Sequence, residues 1–213
     1  MTHRTASIRF PKAKTIEPEE LRRVVNKCNN WANPILHKHG EDEMDYPLVQ
    51  YRNIAGKPAI WAIDEGIDAL EEIIDELTSS FSSPTVVFED FEPGKNVHLL
   101  KYKCPSFLPF NEDNYKRWKN EISHVKRMEL LEHVLKGHLA NFYQSLGFDI
   151  KNNDFACVLH SVKGVPAKVI VNLSGNDVRF LGFNIIFFTD LLLPSSVGIG
   201  KCKAKGHGIT LPM

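Results

Sequence analysis

Hydrophobic and polar positions along this chain alternate between a strand period and a helix period. Ser7–Phe10 alternates strictly, which predicts a short first strand. From Glu17 to Asn30 the period becomes helical, with Leu21, Val24, Val25, Cys28 and Trp31 on one side and charge on the other. Pro18 suits the first turn of that helix. Asn33-Pro34 is expected to close it, because the residue before a proline avoids helical dihedrals, and Ile35 to Glu41 is expected as a loop. Tyr46–Ala55 and Lys57–Ile63 read as two strands of a hairpin turning at Gly56. Glu65–Phe81 predicts one amphipathic helix, with Ile67, Leu70, Ile73, Ile74, Leu77 and Phe81 inward and carboxylates outward. Thr85–Phe91 and Asn96–Tyr102 follow as strands around Pro93-Gly94.

Strand-helix-strand-strand-helix-strand is the order of a ferredoxin-like unit, here residues 1–100. Residues 101–213 open with a helical block whose apolar positions are Tyr115, Trp118, Ile122, Val125, Leu131, Leu135, Leu139, Phe142 and Leu146. Strands are predicted at Asp154–Leu159, Ala167–Leu173 and Val178–Leu193, with turns at Gly164 and at Gly175-Asn176. Helices followed by strands make a second α+β layer pair, whose topology the pattern leaves open. Trp31, Trp61 and Trp118 fall on core-like positions.

With 213 residues, 43% of them apolar, the chain is able to bury a core for one large or two small domains. It has no 18-residue apolar run and its N-terminus lacks a secretory signal pattern, so a cytoplasmic protein is expected. Cys28, Cys104, Cys157 and Cys202 show no C-x-x-C spacing, which argues against a zinc ribbon and suits reduced thiols. The formal charge is zero but unevenly laid out. Residues 41–92 carry fourteen acids against Arg52 and Lys57, a net of −12, and the rest of the chain balances them with +12. Such segregation directs an anionic partner to one side of a molecule.

The basic part ends in P-S-S-V-G-I-G-K-C-K-A-K-G-H-G-I-T-L-P-M, residues 194–213. Gly198 and Gly200 form one pair, Gly206 and Gly208 another, with Lys201, Lys203 and Lys205 between and no acid after Asp190. Glycine lets a backbone turn sharply and approach a ligand closely. Consecutive N–H groups in such turns form nests that suit phosphate. A second constellation is His37-Lys38-His39, between Asn33-Pro34 and Gly40. Residues two apart in an extended segment project to one side. With an ordinary pKa of ~6.5, one imidazole of such a pair can act as a base and the other as an acid at neutral pH. Metal-free RNA cleavage needs that division. H-x-H followed by Glu41, Asp42 and Glu43 is also the chemistry of a metal site, a lesser alternative because none of the other histidines stands at ligand spacing.

The paired glycines around a basic spacer, preceded by an apolar strand and L-P, resemble the C-terminal glycine-rich loop of the CRISPR repeat-RNA processing endoribonucleases, in the repeat-associated mysterious protein superfamily. His207 departs from that pattern, where the family has an apolar or aromatic residue. I-L-H-K-H-G, D-Y-P-L-V-Q-Y-R and G-K-P-A-I-W-A-I-D-E-G resemble the N-terminal half of the family's histidine-pair subgroup, and S-F-L-P-F-N-E-D-N-Y follows its C-terminal order. The resemblance implies an α+β fold of two tandem ferredoxin-like (RRM-like) domains, 1–100 and 101–213, with a C-terminal glycine-rich loop. It implies catalysis by His37 and His39 with Tyr46 as a positioning residue, and RNA binding by Gly198, Gly200, Lys201, Lys203, Lys205, Gly206, His207 and Gly208. The expected partner is CRISPR repeat RNA, with no cofactor, no metal and no membrane. Effector-complex proteins and a second copy of the chain are further partners in keeping with it. The expected reaction is metal-independent transesterification leaving a 5′-hydroxyl and a 2′,3′-cyclic phosphate. Two rival readings are a non-catalytic RNA-binding subunit of an effector complex and an unrelated metal-dependent hydrolase.

Overall fold

The computed structural model describes residues 1–37, 46–81, 83–173 and 176–213, with His37 described by its backbone. It divides into two compact units, residues 1–93 with 204–206, and residues 94–203 with 207–213.

The first unit contains β1 (His3–Arg9), α1 (Pro18–Cys28), α2 (Pro34–His37), β2 (Val49–Ile54), β3 (Lys57–Ile63), α3 (Glu65–Glu71), α4 (Ile74–Phe81) and β4 (Thr85–Phe91). Its sheet is antiparallel in the order β2-β3-β1-β4. Alternation along the strands turns Ala6, Ile8, Val49, Tyr51, Ile60 and Ala62 to one face, where they meet Leu21, Val25, Ile67, Leu70 and Leu77 of the helices.

Three expectations are corrected here. The segment after Asn33-Pro34 is not a loop throughout, since Pro34–His37 forms a helical turn. Asn33 Oδ1 accepts from Ile35 N–H at 3.0 Å, and Pro34 occupies the first turn, so the pair starts a helix as well as ending one. The helix predicted over 65–81 is two pieces, because Glu72 and Ile73 interrupt it. Trp31 lies beyond α1 at φ 60° and is 49% exposed, whereas Trp61 and Trp118 are buried as the periodicity predicts.

The second unit contains β5 (Lys95–Phe107), α5 (Glu112–Asn120), α6 (His124–Ser145), β6 (Cys157–Leu173), β7 (Asn176–Leu191) and β8 (Leu211–Pro212). Asn111 and Ser123 cap the two helices, each accepting from the N–H three residues on. Of the apolar positions that open the helical block, Trp118 is buried and Tyr115 is exposed, while Ile122 and Val125 are exposed where residues 121–123 break the helix and its phase. Gly164 is not a turn. It sits at φ 75° inside β6, where the register shifts between Lys163 and Ala167, and a bulge lets one strand run through 17 residues.

The sheet order β6-β7-β5-β8 repeats the topology of the first unit. Each unit is ferredoxin-like, and the two make the tandem α+β fold that the motifs imply. In the second unit no helix links β7 to β8. Residues 192–210, the glycine-rich tail with its single 3₁₀ turn at Lys203–Lys205, take the place of the second crossover helix. Among the described residues no helix is long and apolar enough to cross a membrane.

Candidate functional site

The polar residues of the first unit concentrate on β2. Val49 and Tyr51 point into the core, which sends Gln50 and Arg52 to the opposite face of the sheet. Both are nevertheless buried, as is Trp61, the register partner of Gln50. Arg52 donates from a terminal guanidinium nitrogen to Gln50 Oε1 at 2.6 Å, and Gln50 Nε2 donates to the Tyr46 hydroxyl at 2.7 Å. That chain fixes the Gln50 amide, since its oxygen faces the cation. The Arg52 guanidinium lies 5.3 Å from the centre of the Trp61 ring. Burial lowers its pKa to about 9, partly countered by Tyr46, so it stays a cation at neutral pH. Its Nε and one terminal nitrogen are buried without a hydrogen-bond partner. Burial pushes the Tyr46 phenol well above its ordinary range, so the ring is a neutral hydroxyl and has no capacity as a base.

The histidine pair belongs to the segment just before this strand. His37 is the last residue of α2, and His39 lies outside the described residues. The rival metal motif, which runs on through Glu41, Asp42 and Glu43, is likewise outside them. Among the described residues no three His, Cys, Asp or Glu side chains converge as metal ligands.

In the tail the glycines work first on the protein itself. Gly198 bridges to Ile209, and Ile199 N–H donates to Gly208 O at 2.9 Å, so the two glycine pairs are clasped against each other. Gly208, at φ 68°, has Ile199 O at 1.9 Å from where a Cβ would stand, a distance no side chain survives. Gly206, at φ 86°, lies with Pro18 Cγ at 2.9 Å and Tyr51 O at 3.2 Å from the same position, both in the first unit to which 204–206 belong. Gly200 rests on Phe107 and Leu108. Lys201 N–H donates to Leu108 O and Gly208 N–H to Ser106 O, so the amides of 199, 201 and 208 face protein acceptors.

The three lysines differ. Lys205 Nζ pairs with Glu19 at 3.0 Å, and its side chain is 8% exposed, which ties the tip of the tail to the start of α1. Lys203 Nζ reaches Gly200 O at 3.5 Å. Burial, then the charge of Lys201, lowers its pKa to about 8. His207 Nδ1 and Ser106 Oγ share a hydrogen bond of 2.8 Å.

Sequence reading passed over several of these groups. His138, which the periodicity treats as an ordinary helix residue, donates from Nε2 to Pro109 O at 2.9 Å, and its ring meets Phe107 edge-on. Burial, with Lys203 and Lys201 adding to it, depresses its pKa to about 4, so it is neutral. Gln50 and Arg52 were legible as polar residues alternating with core positions inside Y-P-L-V-Q-Y-R. Ser106 opens S-F-L-P-F-N-E-D-N-Y without being singled out there, and His138 had no comparable signal.

Comparison with known proteins adds to this geometry. A model of the Cas6b N-terminal domain matches residues 1–83, and one of the Cas6b C-terminal domain matches residues 94–213. An uncharacterised protein of Methanocaldococcus jannaschii is 31% identical over 123 residues, which are 58% of this chain and 78% of that one. A crystal structure of Cas6b superposes with a TM-score of 0.83 at 22% identity, and one of a CRISPR RNA processing endoribonuclease Cas6b with 0.73 at 22%, each covering 100% of both chains. Csf5, a CRISPR-Cas type IV Cas6 crRNA endonuclease, gives 0.63 at 13% identity, again over 100% of both chains. At these identities the solved structures speak for the fold.

Proposed function

The chain belongs to the Cas6b family, and from that premise we propose that it binds CRISPR repeat RNA and cleaves it within each repeat. The observation that carries this reading is the pair of family domain models, which between them take in residues 1–83 and 94–213.

The chemistry proposed is metal-independent. One imidazole of the pair His37 and His39 takes the proton of a ribose 2′-OH, and that oxygen attacks the adjacent phosphorus. The bond from phosphorus to the 5′ oxygen breaks, and the other imidazole, as imidazolium, protonates the departing oxygen. The products are a 2′,3′-cyclic phosphate and a 5′-hydroxyl. Two placed acid–base groups contribute ~10²–10⁴-fold each. Tyr46 is assigned a positioning role as a neutral hydroxyl held by Gln50. The tail supplies the phosphate contacts, chiefly through Lys201 and Lys203, while Lys205 holds the tip in place through Glu19.

The test is incubation of the protein with repeat RNA in excess chelator, followed by sequencing of the fragment ends. Cleavage at one position per repeat is expected, and a 2′-deoxy substitution at the scissile nucleotide should abolish it. His37→Ala and His39→Ala should each slow cleavage by at least ~10² with RNA affinity nearly unchanged. Cleavage that needs added divalent metal removes the basis of the histidine assignment. Binding with no product under any condition favours the non-catalytic subunit reading.

A further inference from the structure

Arg52 works against the stability of the fold that buries it. It is 1% exposed, and its Nε and one terminal nitrogen have no hydrogen-bond partner. No carboxylate among the described residues pairs with it. Burial opposes its charge, and the one group that favours it is the Tyr46 phenol. A buried cation with unpaired donors lowers stability, and an apolar side chain of the same length would serve the sheet as well or better. Val49 and Tyr51 already supply the core face of β2. Groups that break the rules of burial in this way persist where function needs them.

What the guanidinium does is set the direction of a hydrogen-bond chain. Arginine only donates, so the Gln50 atom at 2.6 Å is the amide oxygen. The amide nitrogen then faces the Tyr46 hydroxyl at 2.7 Å. That nitrogen also only donates, so Tyr46 Oη accepts from it, and the phenol proton goes to a different acceptor. All links run one way, from cation to amide to phenol, and each polarises the next. Burial holds the Tyr46 phenol above its ordinary range, while the Gln50 bond and the Arg52 charge pull the other way, which strengthens it as a donor.

We propose that Arg52 is a positioning residue for the cleavage reaction, acting through Gln50 to hold the Tyr46 hydroxyl as a hydrogen-bond donor towards the phosphate being cut. Arg52 itself does not touch the RNA. The phosphate oxygens gain charge as the 2′ oxygen attacks, and a donor oriented beforehand needs no reorganisation at that moment. An arginine suits the far end of the chain because it stays charged when buried and offers no acceptor that would let the amide turn round. The proposal rests on the reading of the chain as a repeat-RNA endoribonuclease, and adds to it a residue that neither the histidine pair nor the tail includes.

The test is a double-mutant cycle in the full chain, read as the single-turnover cleavage rate of repeat RNA. Arg52→Met keeps the length of the side chain and removes the charge. It should slow cleavage about 10- to 100-fold, the loss typical when the group behind a contact residue is removed. Gln50→Met cuts the chain at its middle link and should slow cleavage to a similar extent, and the two changes together should do no more than either alone. In a Tyr46→Phe background Arg52→Met should leave the rate unchanged, because the group it acts through is gone. Affinity for an uncleavable 2′-deoxy repeat RNA should stay that of the native protein, with the same salt dependence. A log–log salt slope shallower by about 0.7 makes Arg52 a direct phosphate contact and overturns the proposal. Equal slowing by Arg52→Met in the native and Tyr46→Phe backgrounds overturns it too, since a purely structural loss multiplies through both. So does an unchanged rate, or an Arg52→Met chain that fails to fold. If the native protein cleaves repeat RNA in any of those cases, the Cas6b reading stands without Arg52. If the native protein cleaves none, both fall.

Discussion

Lys203 offers the most quantitative check on the tail. Burial and the neighbouring Lys201 charge bring its pKa from 10.5 down to about 8. In the free protein it is therefore about nine-tenths protonated at pH 7 and about one-tenth at pH 9. A phosphate beside it favours the ammonium form, so binding takes up a proton. The association constant then falls between pH 7 and pH 9 by at most about tenfold, the factor by which the protonated fraction of the free protein falls. Stability runs the opposite way. The folded chain holds fewer protons than the unfolded chain at this group from about pH 8 to pH 10.5, so its contribution becomes more favourable as pH rises through that window. The measurement is anisotropy with a 2′-deoxy, uncleavable repeat RNA at fixed ionic strength, for the native protein, Lys203→Met and Lys203→Arg. The native curve should fall with pH, Lys203→Met should be weak and flat, and Lys203→Arg should be strong and flat. Equal pH dependence in native protein and Lys203→Met would refute the reasoning, because the titrating cation would then lie elsewhere.

Three further outcomes follow from the same geometry. Gly208→Ala drives a Cβ into Ile199 O at a positive φ, and should destabilise the protein by about 2 kcal/mol or more, read as a melting temperature several degrees lower. Tyr46→Phe removes an acceptor of Gln50 inside a buried chain. It should lower stability by about 1–3 kcal/mol and slow cleavage, while leaving the pH profile of cleavage unmoved because the phenol does not titrate in that range. His138 has a pKa lowered from 6.5 to about 4, so the folded chain binds fewer protons in that window, and the stability present above pH 6.5 is lost as pH falls towards 4. His138→Gln, whose amide is able to donate to Pro109 O, should flatten thermal melts across that range.

Much of the architecture was written in local pattern. The switch between periods located β1 to β5, α1 and the helical block of the second unit, because half-buried strands and one-sided helices leave that mark, but it joined α3 to α4, split β6 in two and gave no sign of α2 or β8. The glycine pairs, the histidine pair and Y-P-L-V-Q-Y-R were also visible in the chain as text. Their physical meaning was not, because it depends on which backbone stretches meet. Four glycines read as a cradle for phosphate, and tertiary structure put Ile199 O against Gly208 and Pro18 against Gly206, so the glycines are needed to let the chain close on itself. Three lysines read as one rim, and long-range contacts separated Lys205, paired with Glu19, from Lys203, lowered in pKa by burial. Asn33-Pro34 read as a stop and proved also to be a start, since capping depends on where the chain goes next. Composition and spacing thus determined the element order of the first unit and the residue types available for chemistry, while the tandem fold came from the family resemblance. Which donors are already satisfied and which charges are compensated were decided only when segments distant in sequence came within a few ångströms, where hydrogen bonding and desolvation act.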